Sequence, residues 1–173
     1  MSLSIPQKHD WPMNAMRIRD MLPEDVPAAA AIERISFSTP WSENSFYSEV
    51  YGKYSIARVA IINERIVGYI IARLILDEGH LLDLAVCPEF RMRGVARMLM
   101  EDVISGLQIN RCKAFFLEVR ASNSVALKFY EEAGFRVIGT RKNYYKAPVE
   151  DACIMMRDLA VGGVDFDSVN GKK

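Results

Sequence analysis

The stretch Leu81–Met100, LLDLAVCPEFRMRGVARMLM, joins a strand to a helix across a very short break. The apolar run ends at Val86, and Pro88, which has no backbone N–H, prevents its continuation. Arg91-Met92-Arg93-Gly94-Val95-Ala96 then opens a helix, in which Val95, Met98, Leu99, Val103 and Leu107 recur at helical spacing. Gly94 and Ala96 leave backbone N–H groups uncovered at that helix start, where orphan donors and the positive end of the helix dipole favour an anion. Arg91, Arg93 and Arg97 add charge suited to a diphosphate. Taken alone, the stretch also fits a plain helix start with solvated arginines. There is no GxxxxGKS/T loop and no GxGxxG after the first strand, which argues against a nucleotide triphosphatase or a nicotinamide dehydrogenase.

The rest of the pattern places this unit within one domain. The 173 residues suit a single core, and the apolar half and charged quarter are those of an average globular chain. Residues 1–14 are expected to be a loose arm, 15–159 the folded domain and 160–173 a frayed tail. A strand at Met16–Arg19 precedes a helix opened by Pro23, Glu24 and Asp25, and Ser42 after Pro40 and Trp41 caps a second, short one. Tyr54–Ile62 and Arg65–Leu76 are β-branched runs joined by Asn63-Glu64, a hairpin turn, and His80–Val86 continues that series. After the Gly94–Leu107 helix come a strand at Lys113–Val119, a helix capped by Ser122 or Asn123 that ends at Gly134, and strands at Phe135–Tyr145 and Ala152–Arg157. The order β-α-α-β-β-β-α-β-α-β-β predicts a mixed α/β (α+β) domain with a mostly antiparallel sheet, unlike a doubly wound one.

Lys and Arg number 22 against 22 Asp and Glu, a balance that speaks against a dedicated nucleic-acid binder. Cys87, Cys112 and Cys153 form no CxxC pair and join no His cluster, so neither a disulfide framework nor a metal site is indicated. The expectation is free thiols in a cytoplasmic protein, with no metal, no membrane segment and no leader. Within AFFLEVR, Glu118 is a carboxylate on one of the most apolar strands, where desolvation raises the proton affinity as a general base requires; a surface glutamate fits the same alternation. Asn123 and Tyr130 stand seven apart, on one helix face, where a tyrosine can equally be core.

These residues together resemble the GNAT superfamily of N-acetyltransferases. Its first signature, Arg or Gln followed by two residues, Gly, one residue and Gly or Ala, is met by Arg91, Gly94 and Ala96. Its second is met by Asn123, Ala126, Tyr130, Gly134 and Phe135 at the right spacings. The resemblance implies a splayed sheet that takes acetyl-CoA as co-substrate, with the Arg91–Arg97 loop (Met92, Arg93 and Val95 included) on the pyrophosphate. It places Leu84, Ala85 and Val86 along the pantetheine arm, which adds like one more strand, and gives Asn123 a cofactor contact. Glu118 is then the general base and Tyr130 the general acid, protonated at neutral pH as a tyrosine with an ordinary pKa of about 10 is.

LEVRASN at 117–123, Pro40-Trp41-Ser42 and Arg141-x-Asn143-Tyr144-Tyr145 narrow the resemblance to ribosomal-protein-alanine N-acetyltransferases, over about Met16 to Leu159. That implies an N-terminal α-amine as acceptor, on a small-subunit ribosomal protein, and Trp41, Asp83, Tyr144 and Tyr145 along its groove; Asp83 stands where this resemblance implies Asn. The aromatic residues could also simply cover the core, and Arg141 and Lys142 are expected to be solvated. An α-amine loses its proton about 2.5 pK units below lysine, about 3.5 kcal/mol more easily, which suits one glutamate acting through a water. Glu118 is expected to relieve the ammonium of a proton, an N–H near Val86 to polarise the thioester carbonyl, and Tyr130 to protonate the sulfur. Asp77, Glu78, Asp83 and Glu118 are expected to face the approaching amine. The alternatives are the same fold acting on lysine side chains or small amines, or a silent acetyl-CoA-binding regulator. The chain is expected to work as a monomer or weak dimer, without direct nucleic-acid contact.

Overall fold

The computed structural model describes residues 16–160; the expected arm and the tail beyond Ala160 lie outside the described residues. Strand β1 (Met16–Asp20) leads through a 3-10 turn at Pro23–Asp25 into α1 (Val26–Ser36) and then α2 (Glu43–Val50). Strands β2 (Ser55–Ile62), β3 (Arg65–Ile75) and β4 (Glu78–Val86) form a meander. Helix α3 (Val95–Ile109), β5 (Ala114–Arg120), α4 (Ser124–Glu132), β6 (Arg136–Lys146) and β7 (Val149–Asp158) complete the chain. The element order is the one the sequence predicts, with boundaries moved by a few residues.

Local chemistry accounts for the boundaries. Asn63 and Glu64 both take positive φ, 49° and 60°, as the tight β2–β3 hairpin requires. Ser42 caps α2 by accepting from the Ser45 N–H at 3.2 Å, and Asn123 rather than Ser122 caps α4, its Oδ1 accepting from the Ala126 N–H at 3.1 Å. Gly94 takes φ 81° at the start of α3, and Gly134 takes φ 84° after α4; both are left-handed conformations that cost a side chain energy.

The seven strands run in the order β1-β2-β3-β4-β5-β7-β6. Every neighbouring pair is antiparallel except β4 and β5. That parallel pair touches at only three positions, Glu78 with Ala114, Gly79 with Phe115 and His80 with Phe116. Beyond them the strands part, so the sheet is a four-stranded and a three-stranded block joined at one end.

Adjacent Gly68 and Tyr69 show how the faces divide. A Cβ on Gly68 would stand 3.3 Å from Val95 of α3, whereas the Tyr69 ring packs edge-on to Phe46 of α2, centroids 5.2 Å apart. Helix α3 therefore covers one face, and α1 with α2 covers the other. The core fills both layers, with Phe46, Tyr69, Ile70, Ile71, Leu99, Leu107, Phe115 and Met155 wholly or almost wholly buried. No described helix is long and apolar enough to cross a membrane.

Candidate active site

Where β4 and β5 part, a cleft of about 340 Å³ opens between Leu81–Leu84 on one wall and Glu118–Arg120 on the other. Glu33, Phe37 and Trp41 close it on the α1–α2 face; Asn123, Ala126 and Tyr130 of α4 close it on the other.

Its backbone is open as well. The Cys87 N–H donates to Val67 O at 2.8 Å while Gly68 faces Val86. By antiparallel alternation, Val86 and Leu84 then turn their own N–H and C=O away from β3, into the gap. The Ala121 N–H donates to Asp151 O at 3.1 Å while Arg120 faces Ala152, so the N–H groups of Arg120 and Glu118 turn to the gap from the opposite wall, while the Arg120 carbonyl accepts the Asn123 N–H at 3.0 Å. The Val86 carbonyl is taken by Arg91 Nε at 2.9 Å.

The segment expected to hold an anion lies at the start of α3. No side chain caps the start of α3, so its first N–H groups stay available. Met92 is 96% exposed at the turn. Arg93 lies over the Phe90 ring, 5.7 Å from its centroid, and Arg97 reaches Glu132 at 3.5 Å. Arg91, however, braces the turn: besides Val86 it holds Ser36 Oγ at 3.1 Å. The segment 91–97 stands past the end of β4 and is not part of the cleft wall itself.

Glu118 lines the cleft, but it is not the isolated carboxylate expected of an apolar strand. Its side chain is 30% exposed and pairs at 3.1 Å with Arg141, which at 54% exposed is a solvated surface group as expected and also a partner of Glu118. Lys142 is also paired, with Asp151 at 2.6 Å. Tyr130 lies against Phe135, centroids 5.9 Å apart; burial first, and the nearby Asp83 and Tyr145 next, push its hydroxyl above the usual tyrosine range. Among the acceptor-side residues, Trp41, Asp83 and Tyr145 line the cleft. Tyr145 Oη donates to Glu118 O at 3.4 Å, and Arg120 stacks 4.1 Å over its ring. Tyr144 is outside the wall, edge-on to Tyr145 at 5.2 Å and 43% exposed.

The expected line of four carboxylates is reduced to two. Asp77 and Glu78 sit at the closed end of the joint, Asp77 on Lys113 at 2.8 Å and Glu78 beside His80 at 3.7 Å. Only Asp83 and Glu118 face the cleft.

Sequence reasoning missed what lies behind Asp83. Glu33, only 1% exposed, accepts the Trp41 N–H at 2.8 Å and the Tyr69 hydroxyl. The same hydroxyl lies 3.1 Å from Asp83 Oδ2. Burial, and then the charge of Glu33, push the Asp83 carboxyl up to about 7. The one signal in the sequence was a glutamate, Glu33, on the apolar face of α1.

Residues 21–135 match the model of the acetyltransferase (GNAT) family. The ribosomal protein bS18-alanine N-acetyltransferase of Salmonella typhimurium is 38% identical over 139 residues, covering 79% of this chain and 93% of the relative. That of Haemophilus ducreyi is 34% identical over 141 residues, covering 80% and 97%. The crystal structure of the ribosomal-protein-S18-alanine N-acetyltransferase from Escherichia coli superposes with a TM-score of 0.80 at 34% identity, covering 87% of this chain and 97% of that one. The splayed sheet, the uncapped glycine turn and these matches agree: the chain belongs to the GNAT family and is an acetyl-CoA-dependent acyltransferase.

Proposed function

We propose that the protein acetylates the α-amine at the N-terminus of another protein, the N-terminal alanine of a small-subunit ribosomal protein. The observation that carries this reading is the cleft where β4 and β5 part, with carboxylates Asp83 and Glu118 in its walls and Tyr130 on the α4 side. The names of the relatives supply the acceptor class.

Acetyl-CoA, when bound, supplies an activated acetyl carbonyl and a sulfur leaving group. The uncapped N-terminus of α3, with Met92, Arg93, Gly94, Val95, Ala96 and Arg97, suits its phosphates. The inward-turned backbone of Leu84 and Val86, the buried Ala85 between them and Asn123 suit its extended arm. The Val86 N–H, left free in the gap, is a donor for the carbonyl oxygen that gains charge. Glu118 serves as general base toward the acceptor nitrogen, and its Arg141 partner holds it in place. Tyr130 keeps its proton at neutral pH and gives it to the departing sulfur. Trp41 and Tyr145 flank the acceptor end, with Tyr144 behind Tyr145.

The test is acetyl transfer from labelled acetyl-CoA to a peptide beginning with alanine, with the product mapped, beside lysine peptides and polyamines. Labelling of the α-amine is the expected result; labelling of side chains or polyamines alone overturns the acceptor assignment. Glu118→Gln and Tyr130→Phe are each expected to lose about 10²-fold in kcat, the lower end for a general base or acid. Wild-type turnover by Glu118→Gln at neutral pH removes Glu118 from the role of base.

A further inference from the structure

Acetylating a cationic amine releases two protons from one nitrogen. An ammonium carries three hydrogens and the product amide carries one. One proton ends on the thiol and the other leaves for solvent, but both must first be taken from nitrogen. A single carboxylate in the cleft has to be emptied between the two events.

Besides Glu33, the cleft wall carries two. Glu118 stands on β5, and Asp83 stands across the gap on β4. The hydrogen bonds behind Asp83 show how it is poised. The Tyr69 hydroxyl has one proton to donate, and gives it to Glu33. The contact between Tyr69 Oη and Asp83 Oδ2, 3.1 Å, and the one to Glu33 are both hydrogen bonds only when one of the two carboxyls carries a proton. The other Glu33 oxygen accepts the Trp41 N–H at 2.8 Å. The chain Asp83–Tyr69–Glu33 thus stores one proton at the cleft wall and has a docking point for it. The charged and titratable groups around Asp83 are Glu33 from α1, Tyr69 from β3, Tyr130 from α4, and Glu118, Arg120 and Tyr145 across the cleft.

We propose that Asp83 is a second proton acceptor for the acceptor nitrogen, with Glu33 and Tyr69 as its positioning residues; this rests on the amine-acetylating reading above. Asp83 takes a proton from the ammonium, and the lone pair so freed forms the bond to the acetyl carbon. The carbon–sulfur bond breaks with its electron pair on sulfur, which receives the Tyr130 proton. Glu118 takes the second proton from the nitrogen. Tyr130 then regains a proton from one of the two carboxyls and the other carboxyl gives its proton to solvent, so that ammonium and thioester become amide, thiol and one released proton. An α-ammonium gives up its proton to either carboxylate more readily than a lysine ammonium does, by about 2.5 pK units.

The test is the pH dependence of kcat/KM on the alanine peptide for the wild type, Asp83→Asn and Glu33→Gln, each checked for folding by its melting curve. In the wild type the rate is expected to rise through a pH near 7. Asp83→Asn keeps a partner for Tyr69 but takes up no proton. Its rate should fall about 10²-fold at pH 7, and its rising limb should move up to that of the free amine, about 7.7–8.0. Glu33→Gln still accepts the Trp41 N–H but removes the charge that raises Asp83, so its limb should move the other way, to lower pH. Opposite displacements in the two variants support the proposal. A wild-type rate and limb in Asp83→Asn, or no displacement in Glu33→Gln, overturn it while leaving the alanine reading intact. No turnover of the peptide by the wild type overturns both.

Discussion

Asp25 illustrates how much one residue can hold. It is 5% exposed and receives both guanidinium nitrogens of Arg19, Nη2 at 2.9 Å, as well as the Leu22 N–H at 2.7 Å. Burial alone would raise its proton affinity, but the Arg19 hydrogen bonds and the Leu22 N–H more than offset that, leaving the carboxyl below its ordinary value. A lowered folded pKa means that the stabilisation is complete above the unfolded value, about 3.9, and is lost as pH falls through the folded one. Asp25→Asn is expected to lose about 2 kcal/mol at pH 7 and to show a flatter decline in stability below pH 4, as urea denaturation at several pH values would record. The sequence marked Asp25 only as an acidic helix start, because Arg19 pairs with it from another element. The same reason hid Arg141 from Glu118 and both Glu33 and Tyr69 from Asp83. Conversely, Ser42, Asn123, Asn63 and Glu64 were legible because capping and turn chemistry act within a few residues of chain.

At the scale of elements, the joint between β4 and β5 depends on a glycine. A Cβ on Gly79 would stand 2.9 Å from Phe115 Cδ2 and 3.0 Å from Leu107 Cδ1, and both of those side chains are fully buried. Gly79→Ala is expected to cost about 1–3 kcal/mol through overpacking. Combined with Leu107→Ala it should cost clearly less than the sum of the two single changes, because the space vacated by Leu107 receives the new methyl group. Additive losses in denaturant melts would contradict this packing. The runs of β-branched residues announced the strands, and the period of Val95, Leu99, Val103 and Leu107 announced α3. Periodicity is silent on which strands pair and for how far, so the three-pair limit of the parallel joint came only with the structure.

At the scale of the molecule, two blocks of sheet share one short seam, and the co-substrate is expected to lie across the opening that remains. Any ligand that binds only the folded chain stabilises it, by about 2.7 kcal/mol at 100 times its Kd. For a domain of this size that raises the melting temperature by about 5–10 °C. Calorimetric scans with increasing acetyl-CoA should show that rise, and an unchanged midpoint at saturating concentration would contradict binding in the gap. The fold class and the order of elements along the chain were legible because they follow from local pattern and from family signatures. The split of charge in the cleft was not, since Asp77 and Asp83 look alike in sequence and are separated only by where β4 meets its neighbour.

The parted strands have a further consequence for how the protein keeps to itself. A strand edge with free peptide groups is a template on which other chains can assemble, and proteins usually blunt such edges. Here the outermost strands are guarded by charge, with Arg17, Arg19 and Asp20 on β1 and Arg136, Arg141, Lys142 and Lys146 on β6. The two inner edges, where β4 and β5 part, face each other inside the fold, and the Val86, Glu118 and Arg120 carbonyls along them already accept from Arg91, Tyr145 and Asn123. The barest β-edges of the molecule are thereby kept off its surface, and with them the first step of aggregation.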